Sequence, residues 1–236
     1  MTIKAIGFDL DDTLYDRDTI YRQVFDIMEA EVVRTEVDFE IFNTIYQKYS
    51  MSEFALYNEG KISKEMYMYQ RVIKTYQDIG YNVTLQTAII FNALYQYVRM
   101  HCVRLRPGVV DLLSNLKDQG YELFLLTNGP SQNQWQKIEA LELEKYIARD
   151  MIFVSGDFGV AKPDPGIFDI VQKKLQCQPS EVVYVGDNYL NDVKAAIEFG
   201  WRAVYFDYQC KGANSLNVGN ISDFDQAGQE FRDLLV

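Results

Sequence analysis

The chain has 236 residues, of which 48% are hydrophobic, and a formal net charge of -11 at pH 7. This length suits one large domain or two modest ones, with enough apolar residues for a packed core. The acidic balance argues against a nucleic acid polymer as ligand, although a metal ion and one or two lysines can still bind a small phosphorylated compound.

Cysteine and histidine usage narrows the class of protein further. Three widely spaced cysteines, Cys102, Cys177 and Cys210, form neither a disulfide framework nor a CxxC metal site, and we expect buried free thiols in a reducing compartment. The single histidine, His101, disfavours a histidine cluster and a Ser-His-Asp triad. Without a membrane-length apolar run or a signal-peptide pattern, the chain is predicted to be cytoplasmic and to have no membrane partner.

The first predicted element is a short apolar strand, KAIGF, which leads into the run FDLDDTLYD. This run places Asp9, Asp11 and Thr13 at the carboxyl end of the strand. Two carboxylates there suit covalent phosphoryl chemistry, because one can attack while the other handles the proton and a hard cation offsets their repulsion. Asp and Thr are also common in turns, so this motif alone is equally compatible with a polar turn.

A block of about eighty residues after this motif predicts four helices and no strand. The expected spans are 19–35, 38–58, 63–79 and 84–101. In the second span, apolar residues recur every three or four positions, which is typical of a helix face packed on partner helices. The block is rich in tyrosine, and we expect most of these side chains in the bundle core or at its rim, with the hydroxyl reaching water and a few facing a substrate.

From Arg106 onward, strands alternate with helices, which predicts a doubly wound, mostly parallel α/β sheet of Rossmann-like type. The expected strands span 122–127, 151–155, 182–186 and 203–206. The expected helices span 109–119, 131–141, 165–175, 190–199 and 223–235. The helical block is therefore an insertion, which divides the chain into 1–16 with 103–236, and 17–102.

Ligands of such sheets bind beyond the carboxyl ends of the strands, and polar residues follow several of the predicted strands. Thr127, Asn128 and Gly129 come after ELFLLT, where a hydroxyl and backbone N–H groups can cradle a phosphate. A helix cap or an ordinary turn explains these three residues better when they are taken alone. Lys162 lies in GVAKPDP, where two prolines stiffen the chain around the ammonium, although a lone lysine is usually a solvated charge.

The strand VVYVG is followed by two more acidic residues. Asp187 would project into the same crevice as Asp9, and Asp192 at the start of the next helix would orient Asp187 or a metal-bound water. Asp192 is also compatible with simple charge placement near a helix N-terminus. Together with Asp11 and Lys162, these residues supply the nucleophile, the acid/base, the cation and the magnesium site that phosphoryl transfer needs.

Four motifs resemble those of the haloacid dehalogenase (HAD) superfamily of phosphohydrolases, and they stand in that family's order as DLDDT, LLTNG, the lysine of AKPDP, and GDNYLND. The resemblance covers the part of the chain from Ile3 to about Phe206. It implies that 1–16 with 103–236 is a catalytic core and that 17–102 is the helical-bundle cap of one subgroup. The cap would close over the crevice, exclude water and select the leaving group.

The resemblance also implies a mechanism and a set of site residues. Asp9 would form an aspartyl-phosphate, while Asp11 would protonate the leaving alkoxide and then deprotonate the attacking water. Mg²⁺ would be held by Asp9, the backbone carbonyl of Asp11, and Asp187, with Asp192 behind these ligands. The residues implied for the phosphoryl oxygens are Thr127, Lys162 and the amides of Asn128 and Gly129.

Three alternatives remain at this stage. A 2-haloacid dehalogenase is disfavoured because dehalogenase-like members lack the second aspartate, which is Asp11 here. A phosphomutase is disfavoured because mutase-like members often carry DLDGV in place of DLDDT. A non-catalytic binding module would be indicated by the loss of an acidic residue or of the lysine, and all of them are present.

The expected substrate is a small phosphorylated metabolite, such as a nucleoside monophosphate or a sugar phosphate. Tyr15 and Asp16, just past the first motif, are candidates for selecting it together with a cap residue. The stretch TNGPSQNQ resembles nucleotidase members of the same subgroup, which favours a nucleotide.

Overall fold

A computed structural model describes residues 2–208 and 219–225. The chain divides into two compact units. The sheet unit comprises Met1–Asp16 and Arg104–Val236, and the helical unit comprises Arg17–Val103. The predicted roles of catalytic core and cap stay predictions at this point.

The helical unit consists of four helices. These are α1 (Arg17–Glu31), α2 (Phe39–Asn58), α3 (Lys64–Asp78) and α4 (Leu85–His101). Two of these helices begin with a side-chain N-cap, because the Ser63 hydroxyl accepts from the Met66 N–H and the Thr84 hydroxyl from the Thr87 N–H. The core of this unit is aromatic and includes Phe42 and Tyr46, which stack at a ring-centroid distance of 6.1 Å.

The sheet unit contains a six-stranded parallel sheet with strand order β3-β2-β1-β4-β5-β6. The strands are β1 (Ala5–Phe8), β2 (Glu122–Thr127), β3 (Ile152–Val154), β4 (Val182–Gly186), β5 (Arg202–Phe206) and β6 (Gly219–Ile221). The helices are α5 (Val109–Asp118), α6 (Ser131–Ala140), α7 (Ser155–Phe158), α8 (Pro165–Leu175) and α9 (Ala195–Phe199). The predicted α/β class with a parallel, Rossmann-like sheet is confirmed.

Several details differ from the predicted elements. The predicted helix 190–199 begins as a π-helical turn, Tyr189–Lys194, before α9, and neither α7 nor β6 was predicted. Cys102 and Cys177 are free thiols but only half-buried, so the expectation of buried thiols was wrong for both. Cys210 and most of the predicted final helix 223–235 lie outside the described residues. None of the described helices is long and apolar enough to cross a membrane.

The centre of the sheet is packed closely around β1. Gly7 pairs with Phe124 on β2 and with Tyr184 on β4. A Cβ atom at position 7 would lie 2.1 Å from the Phe124 ring, so glycine is needed for this close approach. Because β1, β2 and β4 are parallel neighbours, their carboxyl ends meet at one edge, and the residues that follow them come together there.

Candidate active site

Asp9 and Lys162 form a buried ion pair at the carboxyl edge of the sheet. The Asp9 N–H donates to the Val185 carbonyl at 2.8 Å, which fixes the residue directly after β1. The Lys162 ammonium donates to Asp9 Oδ1 at 2.7 Å, and the two residues are 5% and 7% exposed. The structure therefore brings together two predicted site residues that are 153 positions apart in sequence.

The Lys162 ammonium has further acceptors around it. Asp192 Oδ1 and the Tyr184 hydroxyl each lie at 2.7 Å, and the Leu126 carbonyl lies at 2.9 Å. Burial lowers the pKa of Lys162, but the negative charges of Asp192 and Asp9 outweigh burial and raise it well above its ordinary value. The group is thus a fixed cation under all ordinary conditions.

Asn128 holds the segment that carries Lys162. Its side-chain Nδ2 donates to the Lys162 carbonyl at 2.8 Å, and its Oδ1 accepts from the Lys162 N–H at 2.9 Å. The neighbouring Gly129 N–H donates to Ser155 Oγ at 3.0 Å. The side chain of Asn128 therefore positions the lysine, while its predicted contact with a phosphate through the backbone amide stays a prediction.

Asp192 lies behind the ion pair of Asp9 and Lys162, and the backbone around it leaves space for its carboxylate. Its Oδ2 accepts from the Asn188 N–H at 2.9 Å, so both of its carboxylate oxygens are hydrogen-bonded. A Cβ atom at Gly186 would lie 2.4 Å from Asp192 Oδ2, which explains why a glycine ends β4. The π-helical turn 189–194 contains Asp192, and the sequence alone predicted an ordinary helix start there.

Three carboxylates form a group that could hold a cation. Ligand atoms of Asp9, Asp187 and Asp192 all lie within 4.8 Å of one another. The Thr13 hydroxyl accepts from the Asp187 N–H at 3.1 Å and lies 3.4 Å from both Asp9 Oδ2 and Asp187 Oδ1. Because Asp192 is 1% exposed and lies behind Lys162, the better candidates for direct ligands are Asp9 and Asp187, which directly follow β1 and β4.

The pKa of Asp9 reflects its burial and the charges around it. Burial raises it most, Lys162 opposes the rise, and the charges of Asp192 and Asp11 add to it, which gives a pKa of about 7. A cation bound between Asp9 and Asp187 would favour the ionised carboxylate. The donor set, all carboxylate oxygen, fits a hard divalent ion.

Asp11 faces a different set of partners. Lys137 Nζ donates to its two oxygens at 2.5 and 2.7 Å, and Gln134 Nε2 donates to Oδ2 at 2.8 Å. The Tyr15 hydroxyl also donates to Oδ1. Burial raises the pKa of Asp11, but the Lys137 charge and the hydrogen bonds of Lys137, Tyr15 and Gln134 outweigh burial and lower it. The pKa values of Asp9 and Asp11 therefore shift in opposite directions.

Sequence reasoning missed Lys137, Gln134 and Tyr184 as parts of the site. Lys137 and Gln134 lie one turn apart on the buried face of α6, and Gln134 also donates to Thr127 Oγ1 at 2.5 Å. Their signal was a pair of polar residues at helical spacing directly after TNG. For Tyr184, the signal was a hydroxyl within a fully buried strand, which requires a partner.

Tyr15 and Asp16, which were predicted to select the substrate, both contact other residues of the sheet unit. Tyr15 is 1% exposed, and its hydroxyl donates to Asp11. Asp16 Oδ2 lies 3.6 Å from the Arg106 guanidinium. The role of Tyr15 and Asp16 in selecting the substrate stays a prediction.

Comparison with known proteins identifies the family. A family model described as haloacid dehalogenase-like hydrolase matches residues 3–200. The chain belongs to this family. The glyceraldehyde 3-phosphate phosphatase of Pyrococcus furiosus is 30% identical over 99% of this chain and 89% of its own length. Human N-acylneuraminate-9-phosphatase is 28% identical over 85% of this chain and 81% of its own length.

Solved structures of HAD hydrolases share the fold. A HAD hydrolase from Bacillus subtilis bound to magnesium matches with a TM-score of 0.74 and 20% identity, over 100% of both chains. A structure described as a dehalogenase matches with a TM-score of 0.70 and 17% identity, over 95% of both chains. The fold of this HAD hydrolase is therefore established, but the fold alone does not separate a phosphatase from a dehalogenase.

Proposed function

We propose that this HAD hydrolase is a Mg²⁺-dependent phosphatase that hydrolyses a small phosphomonoester through an aspartyl-phosphate on Asp9. The observation that supports the proposal best is that Asp9 and Asp11 contact different side chains. Asp9 faces Lys162 and the acidic group, whereas Asp11 faces Lys137 and Gln134. Two carboxylates with different partners can take different roles in one reaction.

In the first step, an Asp9 oxygen attacks the phosphorus and the bond to the leaving alkoxide breaks. The fixed Lys162 cation stabilises the charge on the phosphoryl oxygens. Thr127 accepts a hydrogen bond from Gln134, which leaves its own O–H to donate to the phosphoryl group. Because its pKa is lowered, Asp11 must take up a proton when the phosphomonoester binds, and it gives this proton to the alkoxide as it leaves.

In the second step, water attacks the phosphorus and the bond between phosphorus and Asp9 breaks, which releases phosphate. Asp11 takes the proton of this water. Having lost its proton in the first step, Asp11 is ionised for that task, which its lowered pKa favours, and Lys137 fixes the direction of its carboxylate. Lys137 thus acts on the reaction through Asp11 and is a positioning residue.

Mg²⁺ would be held by Asp9, Asp187 and the backbone carbonyl of Asp11. When bound, it would neutralise the charge shared by the nucleophile and the phosphoryl group. Asp192 would support the site from behind, since it is bound to Lys162 and Asn188. The all-oxygen donor set is the observation that supports this metal.

Asp11 also argues against the two other reactions of the same fold. A halide leaves without a proton, so a dehalogenase has no use for an acid/base at this position. A mutase would have to keep the phosphoryl group and return it to its product, and the DLDDT motif resembles phosphatases instead. The relatives that match most of this chain carry the names of phosphatases.

The helical unit is proposed to be the cap that selects the leaving group. The named relatives act on two different phosphorylated compounds, so they support the class of small phosphomonoesters without choosing one. A nucleotide remains one member of that class, on the resemblance of TNGPSQNQ to nucleotidases. Gln134 within this stretch contacts Asp11 and Thr127, so part of the resemblance reflects the acid/base region.

The test is the release of phosphate from a generic aryl phosphate, with and without Mg²⁺. We expect activity with Mg²⁺, loss of activity when a chelator removes it, and loss of at least about 1,000-fold in Asp9→Asn. The matched control is Asp118→Asn, which removes an exposed carboxylate from the same unit and should leave activity unchanged. Full activity of Asp9→Asn, or full activity without a divalent ion, would refute the proposal.

A further inference from the structure

The helical unit buries a cation that has no carboxylate beside it. Arg71 on α3 is 7% exposed. Its guanidinium donates to the Tyr67 hydroxyl at 2.9 Å and to Asn92 Oδ1 at 3.5 Å, and its Nε–H has no acceptor. Within the described part of the chain, no aspartate or glutamate reaches this guanidinium. A buried charge without a counter-charge is strongly unfavourable, so its presence requires an explanation.

All four helices contribute to the surroundings of this guanidinium. The Arg71 cluster consists of Arg71 and Tyr67 on α3, Tyr21 on α1, Tyr46 on α2, and Asn92 and Tyr95 on α4. The guanidinium lies 5.2 Å from the ring centroid of Tyr46 and 4.8 Å from that of Tyr67. Tyr21 stacks on Tyr95 at 5.4 Å and lies 5.3 Å from Tyr46.

The tyrosines do not supply the missing negative charge. Burial raises the pKa of Tyr21, Tyr46 and Tyr95 above the ordinary value, so all three are neutral at physiological pH. Asn92 is also fixed in place, because its Nδ2 donates to the Met68 and Ala88 carbonyls and its oxygen is left facing Arg71. The cluster thus surrounds one cation with neutral groups.

Two hydroxyls in this region have no partner outside their own helix. The Tyr46 hydroxyl and Ser50 Oγ lie one turn apart on α2, and both are buried with no hydrogen bond to any group outside this pair. The expectation that the hydroxyl of a buried tyrosine reaches water was wrong for Tyr46. If the two hydroxyls pair, one of them is still left to donate beside Arg71 Nε–H, and donors of this kind bind the oxygens of an anion.

We propose that the Arg71 cluster is an anion-binding site within the helical unit, which takes a carboxylate or phosphate group of a small molecule. The anion supplies the counter-charge of Arg71 and accepts from its Nε–H. It is either a separate small anion or a second acidic group of the phosphorylated substrate. Only the latter source rests on the proposed phosphatase function.

The first test separates a ligand site from a structural arginine by thermal stability. Lys74, also on α3, is the matched control because it pairs with the buried Glu53 at 2.6 Å. We expect Arg71→Met to melt at or above the wild-type temperature in an anion-free buffer, since a buried unpaired charge is removed. Lys74→Met should melt several degrees lower, since it leaves Glu53 without its cation. Destabilisation of Arg71→Met as large as that of Lys74→Met would overturn the proposal.

The second test observes the Arg71 Nε–H directly by nuclear magnetic resonance. The signal is assigned by its absence in Arg71→Lys, and the probes are sulfate, succinate, glycerol 3-phosphate and 3-phosphoglycerate, added to Asp9→Asn to prevent turnover. A saturable shift with sulfate or succinate supports a site for a separate anion. A shift with 3-phosphoglycerate and not with glycerol 3-phosphate supports recognition of an acidic group on the substrate. No shift with any of the four probes would overturn the proposal.

The third test compares the hydrolysis of the two phosphomonoesters, which differ by one carboxylate. If the anion belongs to the substrate, we expect kcat/KM of the wild type to favour 3-phosphoglycerate at least about tenfold, which corresponds to one charge-assisted hydrogen bond. Arg71→Met should lose this preference through KM. If the wild type hydrolyses no aryl phosphate, the proposed function fails, and the resonance of Arg71 still decides this proposal.

Discussion

The buried cations Lys162 and Lys137 of the sheet unit and Arg71 of the helical unit have different surroundings. In the sheet unit, the buried Lys162 contacts Asp9 and Asp192, and the buried Lys137 contacts Asp11. In the helical unit, Arg71 is buried to a similar extent among neutral groups. The two buried lysines of the sheet unit are therefore already paired with carboxylates, whereas Arg71 has no carboxylate beside it among the described residues.

This difference indicates which unit needs a bound ligand to pair its buried charge. A set of mutually paired charges keeps its geometry before the substrate arrives, which is the preorganisation that electrostatic catalysis needs. Arg71, which is surrounded by neutral groups, gains a counter-charge only from a bound anion. The sheet unit is thus expected to carry the chemistry and the helical unit to carry recognition.

The largest expected effect is that of breaking the paired charges at Lys162. We expect Lys162→Met to lower kcat/KM for an aryl phosphate by at least about 1,000-fold, because the fixed cation at the phosphoryl group is lost. It should also lower the free energy of unfolding by about 3–5 kcal/mol, because Asp9 and Asp192 are left buried without a cation. Urea denaturation and phosphate release measure the two effects.

The control for this variant is Lys174→Met, which removes an exposed lysine paired with the exposed Asp150. We expect it to change the unfolding free energy by less than about 1 kcal/mol. An equal loss of stability in both variants would contradict the view that the charges around Lys162 form a buried, mutually dependent group.

A smaller effect is expected at Lys137, which acts only through Asp11. Lys137→Met should lower kcat by about 10- to 100-fold with little change in KM, because the acid/base loses its fixed direction. Lys137→Arg should restore part of the rate, since a guanidinium can also contact both oxygens of a carboxylate. A change confined to KM would show that Lys137 contacts the substrate instead.

The binding of Mg²⁺ should depend on pH through Asp9. With the pKa of Asp9 at about 7, this carboxyl holds a proton below that pH in the metal-free protein, and the proton must leave before the cation binds. Affinity should therefore fall by about tenfold for each pH unit below pH 7 and level off above it. Calorimetric titration across this range measures the slope, and Asp9→Asn should abolish it. A flat profile in the wild type would contradict the assignment of Asp9 as a ligand.

The smallest expected effect is on the free energy of unfolding when a buried tyrosine hydroxyl is removed from each unit. The Tyr184 hydroxyl accepts from Lys162 at 2.7 Å and donates to the Leu126 carbonyl at 2.6 Å, while the Tyr46 hydroxyl has no partner outside its own helix. We expect Tyr184→Phe to cost about 1–3 kcal/mol of unfolding free energy and Tyr46→Phe to cost nothing or to stabilise slightly. Thermal denaturation of the two variants without added anions checks this, and an equal cost would remove the contrast between the units.

Much of the sheet unit could be predicted because its strands are continuous apolar runs with clear ends. β2 and β4 begin and end at the predicted residues, as does α8. The residues directly after these strands could be placed together, since parallel strands share one carboxyl edge. For the same reason, the contact between Asp9 and Lys162 agrees with the sequence.

The other features of the two units depend on tertiary packing, which the pattern of apolar and polar residues does not reveal. Gln134 and Lys137 look like ordinary polar residues of a helix, and only the fold turns that face toward Asp11. The π-helical turn at Asp192 follows from the space that Gly186 leaves for its carboxylate. Arg71 could not be distinguished from a solvated surface arginine, because its burial requires side chains from four helices.

The most direct measurement is acid quenching of the enzyme during turnover of an aryl phosphate with Mg²⁺, followed by mass spectrometry of the peptide that contains Asp9. The account predicts a phosphoryl group on Asp9 in the wild type, an increase of this adduct in Lys137→Met if the second step slows, and its absence in Asp9→Asn together with the absence of phosphate release. A phosphoryl group on another residue, or undiminished phosphate release by Asp9→Asn, would contradict it.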